Sequence, residues 1–106
     1  MPRVPAVAQS YYDCLRQRFG ARLESVRVFG SYARREATSE SDLDMAVLVR
    51  DLTKAEKVLA IGDAAELGWP LGLKISPLLM TPDEFENLRQ LEARLALDIV
   101  AEGIPL

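Results

Sequence analysis

The sequence has no histidine and a single cysteine, Cys14. The first absence removes the commonest general base and the commonest nitrogen ligand for a metal. Proton transfer or metal binding therefore falls to carboxylates, lysine, tyrosine or hydroxyls. The second rules out an intramolecular disulfide and suits a reducing compartment. Cys14 sits in a helical pattern, where a core filler is the expected role and a reactive thiol the alternative. Long apolar runs are missing too. None approaches membrane-spanning length and no signal-peptide pattern is visible, so a cytoplasmic protein with no membrane partner is expected. Positive excess is also lacking. The net charge is −3, which disfavours nucleic acid as the main partner, because phosphate backbones select basic surfaces. Arg16, Arg18, Arg22, Arg27, Arg34 and Arg35 still load the first third of the chain with cations. Solvated faces are the simpler reading, and attraction of an anionic ligand is the sharper one.

Against these absences stand 106 residues of which 49% are hydrophobic. That is enough for one domain, 1–106, with a core that needs no disulfide or metal to fold. No internal repeat, linker or low-complexity segment interrupts it.

Val7, Tyr11, Cys14, Leu15 and Phe19 follow helical spacing, and Gly20 closes that helix over residues 6–19. Ser25 to Phe29 reads as a strand, with Val26 and Val28 on one face. Gly30 and Ser31 break it, and a short helix is predicted over Ala33 to Ala37, before a loop from Thr38 to Ser41. Leu43 to Val49 is a second, buried strand. Thr53 and Glu56 make a capping box for a helix running to about Leu67, with Gly68 placed to stop it. Leu73 to Met80 reads as a third strand, and Pro77 assigns it to an edge or a bulge. Thr81-Pro82-Asp83-Glu84 starts the last helical region, whose stripe of Phe85, Leu88, Leu91, Leu95 and Ile99 suits one helix or two, ended by Gly103 and Pro105. The fold class is therefore α/β or α+β, a small sheet flanked by helices.

The stretch VFGSYARREATSESDLDMAV, Val28 to Val47, carries the chemistry. Asp42 and Asp44 are two apart at the start of a strand, so their carboxylates share a face and Leu43 points away. Two neighbouring carboxylates repel unless a cation lies between them. Mg²⁺ is commonly held by one or two carboxylates plus substrate phosphates. Gly30 lets a ligand approach the backbone, and the Ser31 hydroxyl with neighbouring amides can receive phosphate oxygens. A metal–nucleotide complex accounts for both features. Taken singly, each is more simply a turn.

These residues resemble the signature of the DNA polymerase beta-type nucleotidyltransferases, in particular the minimal nucleotidyltransferases known as MNT proteins. The resemblance rests on Gly30-Ser31-Tyr32-Ala33-Arg34 followed by Ser41-Asp42-Leu43-Asp44, and the ending Ile99 to Leu106 is also similar. It implies a palm-like nucleotidyltransferase fold with a mixed sheet. It also implies a cytoplasmic antitoxin paired with a HEPN-domain ribonuclease toxin, transferring AMP from ATP to a protein hydroxyl. In that reading Gly30, Ser31, Arg34 and Ser41 contact the nucleotide and its phosphates. Asp42 and Asp44 are the catalytic pair and bind Mg²⁺.

Two positions depart from the family pattern. Arg35 stands where a glycine usually follows the Ala-Arg pair. The third strand, LGLKISPLLM, lacks the carboxylate that family members often carry there, and Lys74 stands near its expected place. Lys74 is either an ordinary edge-strand charge or a partner for Asp42 or Asp44 in place of metal. The missing acid leaves two functions open: an adenylyltransferase, and an antitoxin of the same fold that neutralises its toxin by binding alone. Tyr32 is expected to pack rather than accept a group, and Trp69 to anchor the core edge; an exposed Trp69 would point to a partner surface.

Overall fold

The computed structural model of the protein describes residues 4–106. Helical spacing of apolar residues produces α1, Ala6–Phe19, which buries Val7, Ala8, Tyr11, Leu15 and Phe19. Gly20, at φ 57°, ends it. Strand β1, Leu23–Phe29, and strand β2, Leu43–Val49, follow and pair antiparallel. Helix α2, Lys54–Gly68, opens on the Thr53–Glu56 capping box. Strand β3, Ile75–Met80, leads into α3, Pro82–Gln90, capped by Thr81 and Glu84. Helix α4, Arg94–Glu102, and a two-residue strand β4, Ile104–Pro105, complete the described chain.

The sheet order is β3-β2-β1-β4. β2 is parallel to β3, and β1 is antiparallel to both β2 and β4, which makes the sheet mixed. β2 is central and covered on both faces. Leu43, Met45, Val47 and Val49 join Val26, Val28 and the buried sides of α1 and α2 in one core. Ala46 faces the other way, with Met80, Phe85, Ala96 and Ile99. The Tyr11 hydroxyl, buried between the first two helices, donates to the Ala60 carbonyl at 2.9 Å. No described helix is long and apolar enough to cross a membrane.

The structure corrects several sequence expectations. Residues 33–37 form no helix. The chain makes one coiled turn that Arg35, at φ 61°, terminates. Of the two options left open for the last helical region, the structure has two helices, because Glu92 at φ 54° breaks the run. Helix α2 does end at Gly68, where expected, but Gly68 keeps helical backbone angles and is not a left-handed cap. The chain continues through a short 3₁₀ turn, Trp69–Leu71, and Gly72 at φ 63° is the left-handed stop. β4 was not expected, since two residues carry no readable pattern. Trp69 is not a core anchor, being 86% exposed beside Leu71 and near Ile61 on α2. Pro77 does lie on an edge strand, as expected. Cys14 is half-buried, and burial followed by the Asp63 carboxylate raises its thiol pKa, which disfavours the thiolate.

The arginines of the first third are largely committed within the chain. Arg18 grips Asp63 with two hydrogen bonds, at 2.7 and 3.0 Å, and Arg22 pairs with Glu56. These pairs tie α1 and its C-terminal turn to α2.

Gly68 also marks the closest approach of α2 to the start of β3. A Cβ at Gly68 would collide with the Leu73 carbonyl, and Ile75 lies 3.5 Å away. Gly62, in the same helix, has open space around it. Gly68→Ala is therefore expected to destabilise the fold by about 1–3 kcal/mol. Gly62→Ala should stabilise it by roughly 0.5–1 kcal/mol. Urea unfolding midpoints at unchanged slope check both; a harmless Gly68→Ala would contradict this packing.

Candidate functional site

The β1–β2 register pairs Phe29 with Asp44. Gly30 follows Phe29 with φ 74°. A side chain at Gly30 would run into the Asp44 carboxylate, whose Cγ lies 3.3 Å from where a Cβ would stand. The glycine predicted to admit a ligand is thus packed against one of the two predicted metal-binding carboxylates. Beyond it the loop coils tightly. The Arg34 amide donates to the Gly30 carbonyl at 3.1 Å, and the Glu36 amide to the Ser31 carbonyl at 2.8 Å. Arg35 closes the coil in the left-handed region, where a non-glycine residue costs about 1–2 kcal/mol. This is where the related pattern has glycine. Tyr32 packs against the α1–α2 core, as expected.

Asp44 is half-buried, and Asp42 sits just outside β2 with its side chain 45% exposed. Burial raises the Asp44 pKa above the ordinary carboxylate range, the charge of Asp42 raises it further, and Arg34 opposes both. Arg34 is itself held by Glu36 at 2.8 Å and by Glu102 of α4 at 3.1 Å. It ties the loop to α4 while its charge reaches Asp44. The Ser41 hydroxyl closes the 38–41 turn, accepting from the Thr38 amide at 2.8 Å. Gly30 and Asp44 are thus in direct contact and Arg34 faces Asp44 electrostatically. Ser41 is engaged in its own loop, and Ser31 follows Gly30 at the start of the coil.

The parallel β2–β3 register pairs Asp44 with Ser76. Lys74, two residues earlier, lies beside Asp42, its Nζ 3.9 Å from Oδ2. The position opposite Asp44 therefore belongs to Ser76, which sequence reasoning did not single out; a lone strand carries no register signal. Glu102 was missed because nothing local links it to Arg34. Among the described residues, no group of three or more His, Cys, Asp or Glu is placed to hold a metal ion. Two hard oxygen donors remain. They suit Mg²⁺ completed by phosphate oxygens and water rather than an all-protein cage.

The raised Asp44 pKa means that ionising this group opposes folding in the absence of a cation. That cost is fully present above its folded pKa and vanishes below its unfolded pKa, about 4. Asp44→Asn should therefore melt higher than wild type at pH 7 without divalent metal, and the gap should close below about pH 4. Thermal melts across pH check it, and a gap independent of pH would contradict it.

Comparison with known proteins agrees with this geometry. A family model described as a nucleotidyltransferase domain matches residues 10–102. A Methanocaldococcus jannaschii protein named "putative protein adenylyltransferase" is 39% identical over 80 residues, covering 72% of this chain and 54% of that protein. The chain thus spans about half the length of this relative. A solved structure of a "putative minimal nucleotidyltransferase" is similar at TM-score 0.63 and 30% identity, covering 95% of this chain and 90% of that one. The fold also matches a crystal structure of a toxin–antitoxin with AMP-PNP, at TM-score 0.62 and 22% identity over 92% of this chain and 70% of that chain. The strand-end glycine, the paired carboxylates on the adjacent strand and these matches lead to one conclusion: the chain belongs to the nucleotidyltransferase domain family.

Proposed function

We propose that the protein is an Mg-ATP-dependent protein adenylyltransferase acting as the antitoxin of a HEPN-domain toxin in the cytoplasm, with residues 1–106 as one catalytic domain. The observation that carries this reading is the crowded Asp42–Asp44 pair beside Gly30, at the start of β2. Asp42 and Asp44 would hold Mg²⁺, which when bound supplies charge neutralisation at the phosphate oxygens. Gly30, with no Cβ, leaves room for the Asp44 carboxylate beside the turn that would take the triphosphate. Ser31 and Ser41 offer hydroxyls, and Arg34 can exchange Glu36 or Glu102 for a phosphate oxygen. In the transfer, the acceptor hydroxyl oxygen bonds to the α-phosphorus as the bond from that phosphorus to the α,β-bridging oxygen breaks. Pyrophosphate leaves with those electrons, and the hydroxyl proton passes to water. The names of the M. jannaschii relative and of the AMP-PNP-bound toxin–antitoxin support AMP transfer and a toxin partner. The exposed Trp69, with Val58, Ile61 and Leu71, supports a protein-binding surface.

A specific observation also favours the rival reading of an antitoxin that only masks its toxin. Ser76 and Lys74 occupy the third-strand positions beside Asp44 and Asp42, so that strand offers no carboxylate as base. A positioned base is typically worth about 10²–10⁴ in rate. Transfer is therefore expected to be weak from the isolated protein and to depend on the partner. Incubation with α-labelled ATP and Mg²⁺, with and without a co-expressed HEPN partner, separates the readings. Label on the partner with wild type, lost in Asp42→Asn/Asp44→Asn, supports the enzyme. No label, with full neutralisation by the double variant, makes the protein a masking antitoxin.

A further inference from the structure

We infer that Lys74 competes with a divalent cation for Asp42 and restricts the site to a single metal ion. This rests on the metal–nucleotide reading above and adds a stoichiometry to it. The β2–β3 register is fixed at this end by the Leu43–Ile75 pair and by the Leu43 amide, which donates to the Lys74 carbonyl at 2.9 Å. Asp42 and Lys74 each precede one member of that pair, so they stand side by side at the mouth of the site. The charge of Asp42 reaches Asp44, which is paired with Ser76 one step further along the same strands. The ammonium reaches Asp42 at 3.9 Å, and the Lys74 side chain is 74% exposed.

An ion pair this open is weak, so a divalent cation can displace the ammonium from Asp42. The Lys74 backbone is held to β2, so the displaced ammonium stays within a side chain's length of the site. It keeps a positive charge on the β3 side of the site, where the chain offers no carboxylate to a second cation. With only Asp42 and Asp44 as protein anions, a second divalent ion would rely on the nucleotide's phosphate oxygens alone, already shared with the first ion, and would meet the ammonium as well. Ser76, a neutral hydroxyl, does not change this balance.

The test is Mn²⁺ binding to the full chain, read by electron paramagnetic resonance of free Mn²⁺, with and without α,β-methylene ATP. Wild type should bind one Mn²⁺ per chain with the nucleotide analogue. Lys74→Glu should bind two. Lys74→Gln, a milder change at an exposed position, should bind Mn²⁺ without nucleotide about two- to fivefold more tightly than wild type. Two Mn²⁺ in wild type, or an unchanged affinity in Lys74→Gln, would overturn the inference while leaving the nucleotide site standing. No Mn²⁺ bound by any variant, with or without the analogue, would overturn the metal–nucleotide reading and this inference with it.

Discussion

The pairing of Phe29 with Asp44 across β1 and β2 is the constraint from which the site follows. Side chains alternate along a strand, so this register decides which residues of β2 enter the α1–α2 core and which face α3 and α4. Leu43, Met45, Val47 and Val49 take the first face, and Asp44 and Ala46 the second. Ala46 is covered by Phe85, Ala96 and Ile99. Asp44 lies beyond that cover, at the end of the sheet where Gly30 turns the chain. A slip of one residue would bury the carboxylate among apolar side chains, at a desolvation cost no neighbour could offset. The hydrophobic demand of the core thus holds Asp44 at the mouth of the site.

The same arrangement leaves an electrostatic problem at the site. Asp44 is partly desolvated and repelled by Asp42, and the positive groups nearby are already engaged. Arg34 is shared between Glu36 and Glu102, and Lys74 is loosely paired with Asp42. Arg35, in the left-handed region, adds backbone strain at the end of the same loop. Strain and like-charge crowding on one short segment are the features expected where a ligand supplies the missing interactions. A cation bridging the carboxylates, with phosphates over the Gly30 turn, would relieve the repulsion and balance the charge.

Much of this was legible in the sequence because the signals were local. Period two predicted one face for Asp42 and Asp44, whose charges do interact, and helical spacing with the Thr53 and Thr81 caps located α1, α2 and α3. Pro77 marked an edge strand. What escaped depended on non-local packing or on backbone angles that composition does not reveal. Ala33 to Ala37 has helical composition, yet Arg35 adopts a positive φ and ends the coil. Gly68 ends α2 as the sequence suggested, yet it does so by letting α2 approach Leu73, and the left-handed glycine is Gly72 after the 3₁₀ turn. β4 is only Ile104–Pro105, held by its pairing to Arg27 and Val28. The register of β3, which puts Ser76 rather than Lys74 opposite Asp44, emerges only once the strands are side by side.

The claim on which the rest depends is that the Asp42–Asp44 pair is completed by a metal and a nucleotide together. Thermal unfolding of the protein with Mg²⁺ alone, a non-hydrolysable ATP analogue alone, both and neither tests it most directly. Ligands that bind only the folded state stabilise it by about 2.7 kcal/mol at a hundred times their dissociation constant. The two together should therefore raise the midpoint by several degrees, well beyond the sum of their separate effects. Equal midpoints in all four conditions would contradict the account.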